Sequence, residues 1–435
     1  MFTKSLALFV LPLFFIVLGS PASGEENPRC CTEMSPTPDD PAYLTVLSAG
    51  NDFGAFVKAF AEDFPPQPPG SSRHMAFGIK LNTLNTPVEK LRKQLTDALD
   101  TAEHYNYPVL VTLDDWNFPK PSSDPEIVEW TDWPAPGESH GPLVKGRWVN
   151  WGFWLHTEPP VNFESVKFRA QVTQTLQQAV ISPLVDRLAT WKEKGTSHLF
   201  AGLVVGWETG YYTFYNRDHV DLANPPEAGK HRFTEDDFVG TGFAALTARG
   251  HTAESVRKLA QERGCSEHMA IKQLMDDVTR DYIGFWARTC AQGGVPRERT
   301  YSHIATMRTL PEADRRFLGV LEDGRLCSVD VAVQPWCRPG ATVTREWCDI
   351  SAVIDAFHKR GERAWGAVEL EITDAIREEK AALDYLSRLT DAGARVIAIY
   401  GWWEAEGNPF QVRGTGAVKA MQRWLQSPDV SGATQ

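Results

Sequence analysis

Apolar residues along the chain follow two alternating rhythms. Short runs rich in β-branched and apolar residues recur at 43–49, 75–81, 108–113 and 199–206, and again at 299–306, 328–333, 364–371 and 395–400. Each reads as a strand buried on both faces, because apolar positions continue through it instead of alternating with polar ones. Between these runs the period lengthens to that of a helix. Phe53, Phe56, Val57 and Phe60 share one face of a helix expected over 52–64. Thr86-Pro87-Val88-Glu89 reads as a capping box with proline in the first turn, and Val88, Leu91, Leu95 and Leu99 point inward behind it. A long helix is expected from 163 to 194, kinked or broken at Pro183 and stopped at Gly195. Another is expected over 373–392 with Gly393 as its stop, and a last one has Val418, Met421, Trp424 and Leu425 on one side.

Strands buried on both faces and separated by helices imply a parallel sheet. Eight such units favour closure, so the expected fold class is α/β, a (β/α)8 barrel over residues 43–427. No glycine-rich phosphate loop follows the first strand, which argues against nucleotide binding. A barrel needs ~250 residues, and the excess falls in two extensions, 114–162 and 208–251. They follow strands three and four at their C-terminal ends, the face on which barrel active sites are built.

The chain ends read differently. Lys4 precedes an apolar run from Leu6 to Leu18, and small residues follow up to Gly24. That pattern is an export signal over 1–23, too short for a membrane span of ~20 apolar residues. Residues 24–42 read as a polar, proline-rich leader and 428–435 as a flexible tail. The expected product is secreted, or periplasmic in a bacterium, with no membrane partner after cleavage. A formal charge of -12 argues against nucleic acid as a partner. Seven cysteines in an exported chain suggest disulfides. Cys30 neighbours Cys31, Cys265 lies near Cys290, and Cys327, Cys337 and Cys348 form a third group. None has zinc-site spacing.

Candidate chemistry lies at the strand ends. The fourth run closes as Val204-Val205-Gly206-Trp207-Glu208-Thr209-Gly210-Tyr211. A carboxylate there, among aromatics, sits where desolvation would raise its pKa toward that of a general acid. Gly206 leaves room for a ligand or a neighbouring strand. The seventh run, Ala364-Trp365-Gly366-Ala367-Val368-Glu369-Leu370-Glu371, supplies a second carboxylate. Residues two apart share a strand face, so direction does not separate Glu369 from Glu371. Glu369 stands at the usual depth of a barrel rim.

A barrel with glutamates closing strands four and seven resembles the large clan of retaining glycoside hydrolases. The resemblance implies that Glu208 is the acid/base and Glu369, or Glu371, the nucleophile, with a carbohydrate substrate and no metal or organic cofactor. Many clan members carry asparagine before the acid/base, where it binds the sugar 2-hydroxyl. Trp207 stands there instead, so that contact is missing or replaced. The clan's strand-eight tryptophan floors the subsite beside the cleaved bond, a role that Trp402 resembles.

Further candidates for carbohydrate contact are Asp114, Asp115 and Trp116 at the end of strand three, with Trp207, Tyr211 and His303. One of the two aspartates is expected to cap the following turn. His303 is read first as a satisfied core histidine, Glu404 and Glu406 as solvated charges, and Gln334 as a weak hydroxyl ligand. Of 15 tryptophans, Trp130, Trp133, Trp148, Trp151 and Trp154 crowd one extension, where they either line subsites or pack a local core. Two other readings remain: a divalent-metal sugar isomerase or epimerase using Asp114, Glu208, His303 and Glu369, and a non-catalytic sugar-binding barrel.

Overall fold

Eight parallel strands form one sheet: β1 (Ala42–Leu47), β2 (Arg73–Asn82), β3 (Val109–Asp114), β4 (Phe200–Val204), β5 (Thr300–Tyr301), β6 (Gly340–Val343), β7 (Trp365–Glu371) and β8 (Ala394–Tyr400). The structure, a computed structural model, describes residues 40–47, 52–117, 119–150, 154–211, 214–215, 238–305, 328–343, 347–371, 376–400 and 412–427. The expected signal, the tail and all but the last residues of the leader lie outside these. In space the order runs β6-β7-β8-β1-β2-β3-β4-β5. Parallel bridges Tyr301↔Arg338 and Ile304↔Ala341 join the two ends, reinforced by N–H donation from Ser302 to the Arg338 carbonyl and from Ile304 to that of Gly340. The chain is a (β/α)8 barrel.

Alternation along each strand divides the core in two. Tyr43, Ala76, Leu110, Tyr301, Val368 and Val396 fill the barrel interior. Their neighbours Leu44, Val46, Phe77, Val109 and Ile397 face outward into a larger core shared with the helices. Asp52 caps the first helix, Phe53–Ala61, by accepting from Ala55 N–H at 2.9 Å. At the second helix, Val88–Tyr105, the expected capping box does not form: Pro87 is the N-cap residue, without a side-chain bond, and Glu89 pairs with Arg92 instead. Pro183 acts as expected. The helix Val166–Leu176 passes through a π-helical turn, Gln177–Ile181, into Ser182–Glu193, where proline lies in the first turn and its missing N–H costs little. The helix expected over 373–392 is observed as Glu379–Asp391, and the last helix is Gly416–Gln426, with Val418, Met421 and Trp424 buried.

Strand six is a correction. The β-branched run 328–333 forms a short helix, Val329–Ala332, and the strand is Gly340–Val343. Pro339 and Gly340 look like turn residues in sequence. Yet proline is tolerated immediately before a strand, and only glycine fits at 340, where a Cβ would lie 2.2 Å from the Ser302 carbonyl oxygen. Gln334, expected as a hydroxyl ligand, is instead structural, donating to the carbonyls of Arg280 and Val331.

Among the described residues no helix is long and apolar enough to cross a membrane. Cys265, Cys290 and Cys337 are free thiols, so no expected disulfide is formed by the cysteines whose side chains are described.

Candidate active site

The β6–β7 register shifts by one residue: Ala341 pairs with Ala367, but Thr342 pairs with Glu369. Such a bulge re-aims the side chain that follows it. Val368 stays in the barrel interior, while the Glu369 carboxylate reaches the C-terminal mouth. There its Oε2 accepts from the Thr342 hydroxyl at 3.2 Å and lies 3.6 Å from His303 Nε2. Glu369 retains 8% exposure, enough to meet a ligand from the mouth. The side chain of Glu371 lies outside what the structure describes.

Glu208 stands on a tight turn after β4. Gly206 has φ 82° and Glu208 φ 51°, and Thr209 N–H closes the turn onto the Gly206 carbonyl at 3.2 Å. Left-handed backbone costs a side-chain-bearing residue about 1–2 kcal/mol and persists where the surroundings enforce it. Here the Thr209 hydroxyl donates to Asp115 Oδ1 at 2.6 Å, tying the turn to the end of β3. Gly206 serves packing as well: a Cβ would meet Ile283 of the helix Glu267–Gln292 at 3.1 Å, so the neighbour is a helix rather than a ligand or strand.

His303 joins the two halves. Its Nδ1 accepts from the Glu208 N–H at 3.4 Å and its Nε2 lies 2.7 Å from Thr342 Oγ1. An accepting Nδ1 assigns the proton to Nε2, which donates to Thr342, whose own proton goes to Glu369. Complete burial holds the imidazole neutral, its pKa pushed down to about 3. The backbone of one glutamate and the carboxylate of the other are therefore positioned by opposite nitrogens of one ring. His303 is both a satisfied core histidine and part of the site.

Trp207 packs edge-on against His303, with centroids 5.2 Å apart. On Trp207 rests the Lys80 ammonium, 5.2 Å from the ring centroid and 3.5 Å from Asp114 Oδ2. Asp114 is the turn-capping aspartate, with Oδ1 accepting from Asn117 N–H at 3.0 Å. Asp115 is fully buried, and burial, countered by the Thr209 bond, raises its carboxyl to about 8.

Three expected contact residues turn out to be supports. Asp115 holds Thr209, Trp116 is buried in the core, and the Tyr211 hydroxyl is spent on Glu129 Oε1 at 2.6 Å. Glu129, buried and raised to about 7, also accepts from the Ala244 and Ala245 N–H groups and so locks the two extensions together. Trp130 packs within its own extension, donating to the Pro125 carbonyl, while Trp133 lies edge-on to Phe243 of the other extension. The side chains of Trp148, Trp151 and Trp154 lie outside the described set, as do Trp402, Glu404 and Glu406.

The four residues of the metal-isomerase reading do not form a cage. Asp114 is engaged by backbone and Lys80, both His303 nitrogens are engaged, and among the described residues no three His, Cys, Asp or Glu side chains are grouped to hold a metal. The sequence reading missed Lys80, Thr342 and Thr209. A lone lysine in the otherwise apolar run 75–81 was the available signal for the first. Thr342 was hidden by the misplaced sixth strand.

In fold the chain is similar to the catalytic domain of β-amylase from Paenibacillus polymyxa. The TM-score is 0.50 at 8% identity, over 90% of this chain and 99% of that one. A broad-specificity GH5-4 endoglucanase from an uncultured bacterium aligns over 86% of this chain and 84% of its own, at 7% identity and TM-score 0.37. No protein-family model matches the chain, and no curated protein matches it.

Proposed function

We propose that the protein is a glycoside hydrolase acting on an oligo- or polysaccharide, with Glu208 and Glu369 as its carboxylate pair. The observation that carries this reading is the shared imidazole: Glu208 N–H on His303 Nδ1, Glu369 beside Nε2, both at the mouth of the barrel. The fold likeness to a β-amylase catalytic domain agrees with it.

The mechanism we favour is double displacement. Glu208, as the acid, gives its proton to the departing glycosidic oxygen while the Glu369 carboxylate attacks the anomeric carbon. The sugar is then held as an ester of Glu369. Glu208, now a carboxylate, takes a proton from water, which attacks the same carbon and releases Glu369. Carboxyl groups about 5–5.5 Å apart suit retention, and roughly 6.5–9.5 Å inversion. Thr342 and neutral His303 stabilise the Glu369 carboxylate without neutralising it, which suits a nucleophile. Lys80 supplies a cation that can hydrogen-bond sugar hydroxyls. Export through residues 1–23 belongs to the same proposal.

The test is reducing-end release from a panel of α- and β-linked glucans, mannans and xylans by the wild type, Glu208→Gln and Glu369→Gln. Turnover of one polymer, lost in both variants with folding retained, is the expected result. Wild-type turnover undiminished in Glu369→Gln would refute the assignment of that residue.

A further inference from the structure

The turn that carries Glu208 is held on both sides of that residue. Before it, Ile283 fills the space that a Cβ on Gly206 would need. Directly after it, Thr209 is bonded to Asp115. Further along, Tyr211 is buried and its hydroxyl is engaged within the protein. It donates to Glu129 Oε1 at 2.6 Å, with the Val161 carbonyl as a second acceptor at 3.0 Å, and it accepts from Phe163 N–H at 2.7 Å. A phenol has a single proton, so nothing of it is left to donate to a ligand.

The Tyr211 ring is fixed as firmly. It stacks on Phe163 with centroids 4.2 Å apart, and Phe163 stacks on Tyr282 at 3.9 Å. The Tyr282 hydroxyl then donates to the Asp115 carbonyl at 2.9 Å. The contacts close a circuit, from Asp115 through Thr209 and Tyr211 to Phe163, Tyr282 and back to Asp115. Glu208 is the residue that enters this circuit from β4, and its left-handed backbone persists only where neighbours enforce it.

Glu129 supports the circuit from outside. Its own N–H donates to the Pro160 carbonyl and its carbonyl accepts from Val144 N–H, each at 3.0 Å. Its carboxylate also accepts from the N–H groups of Trp130, Ala244 and Ala245. Both extensions therefore converge on the group that holds Tyr211. Stability alone gives no reason for this pair, because replacing both partners of a buried hydrogen bond by apolar groups of the same shape is nearly neutral. What the bond adds is direction: stacked rings can slide, whereas a hydroxyl tied to a fixed carboxylate cannot.

We propose that Tyr211, oriented by Glu129, is a positioning residue for the acid/base: it fixes the turn beyond Glu208 and so aims the Glu208 carboxyl at the departing oxygen. The inference rests on the hydrolase reading above.

The deciding experiment measures kcat/KM, which reports the glycosylation step, on glycosides of the sugar that the polymer panel identifies. They differ in leaving group: 2,4-dinitrophenyl, 4-nitrophenyl and methyl. A good leaving group departs with little help from an acid, and a poor one depends on it. Tyr211→Phe keeps the stack and removes only the hydroxyl. Its kcat/KM should fall about tenfold or more on the methyl glycoside and stay near wild type on the dinitrophenyl glycoside. Glu129→Leu should show the same pattern, and it takes the place of Tyr211→Phe if that variant does not fold. Glu129→Gln keeps an acceptor for the hydroxyl and should rescue the pattern. A loss of equal size across the series, or no loss, would overturn the proposal, since a packing defect does not discriminate between leaving groups. Glu208→Gln in the same series separates the two readings. If its loss is confined to poor leaving groups and that of Tyr211→Phe is not, the acid stands and only the positioning role falls. If its loss is uniform, Glu208 is not the acid and both fall.

Discussion

The Thr209 hydroxyl donates to Asp115 Oδ1 at 2.6 Å, and this bond fixes the turn that carries Glu208. Asp115 is a support whose charge state matters. Its folded carboxyl titrates near 8, against 3.8 ordinarily, chiefly because it is buried. A carboxyl raised in the folded state contributes stability that is complete below about pH 4 and is lost as pH rises through 8. One such group gives a slope of at most about 1.4 kcal/mol per pH unit. Asp115→Asn should keep a partner for Thr209 and flatten the fall in stability between pH 6.5 and 8.5, measured by urea unfolding. Glu129 acts in the same direction but is finished near 7, so it does not mask the change above that. Equal slopes in the two proteins would show that Asp115 is ionised at neutral pH.

On the acid side the sign reverses. Burial depresses His303 to about 3 and His74 to about 4, both from 6.5. Bases depressed in the folded state contribute stability that is present above pH 6.5 and lost as pH falls toward those values. His303→Gln should therefore unfold less steeply than wild type between pH 6 and 4, whatever its stability at pH 7. A profile parallel to wild type would mean that the imidazole is already charged in the fold.

Glu208 has φ 51°, and the only other described non-glycine residue in this region is Asn106, at a helix end where asparagine is at home. Removing the side chain in two ways isolates the backbone cost. Glu208→Ala and Glu208→Gly lose the same carboxylate, but only glycine relieves the left-handed strain. After the greater unfolded-state freedom of glycine is counted, the Gly variant should be more stable than the Ala variant by up to about 1 kcal/mol. Both should be inactive on unactivated glycosides. An Ala variant as stable as the Gly variant would show that the turn is unstrained.

Most of the barrel was legible because most of its strands lie in largely apolar runs bounded by helix signals. The sixth was not, since its residues are chosen by close approach rather than by hydrophobicity: Gly340 is required by the Ser302 carbonyl, and the preceding run 328–333 has better strand composition. Glu208 and Glu369 were visible as charges closing apolar strands. What sequence could not show was the bulge that turns Glu369 to the mouth, or that the aromatic and acidic neighbours Trp116, Tyr211 and Asp115 would be consumed as supports. Residue type suggests what a side chain can bind. Burial and partners decide whether anything is left to bind it.

Thr342 is the residue through which the site can be tested without removing either carboxylate. It stands between His303 Nε2, at 2.7 Å, and Glu369 Oε2, at 3.2 Å. Thr342→Val keeps shape but removes the hydroxyl, so Glu369 loses a hydrogen bond that favours its ionised form. Loss of a hydrogen bond to the charged form raises a carboxyl's pKa. A nucleophile must be ionised, and the acidic limb of kcat/KM against pH should therefore move to higher pH, with activity lost more on the acid side than at neutral pH. Thr342→Ser, which restores the hydroxyl, should return the limb to its original position. If Val and Ser variants share the wild-type limb while rates fall equally, Thr342 serves packing alone, and the chain of donors from His303 to Glu369 has no part in the chemistry.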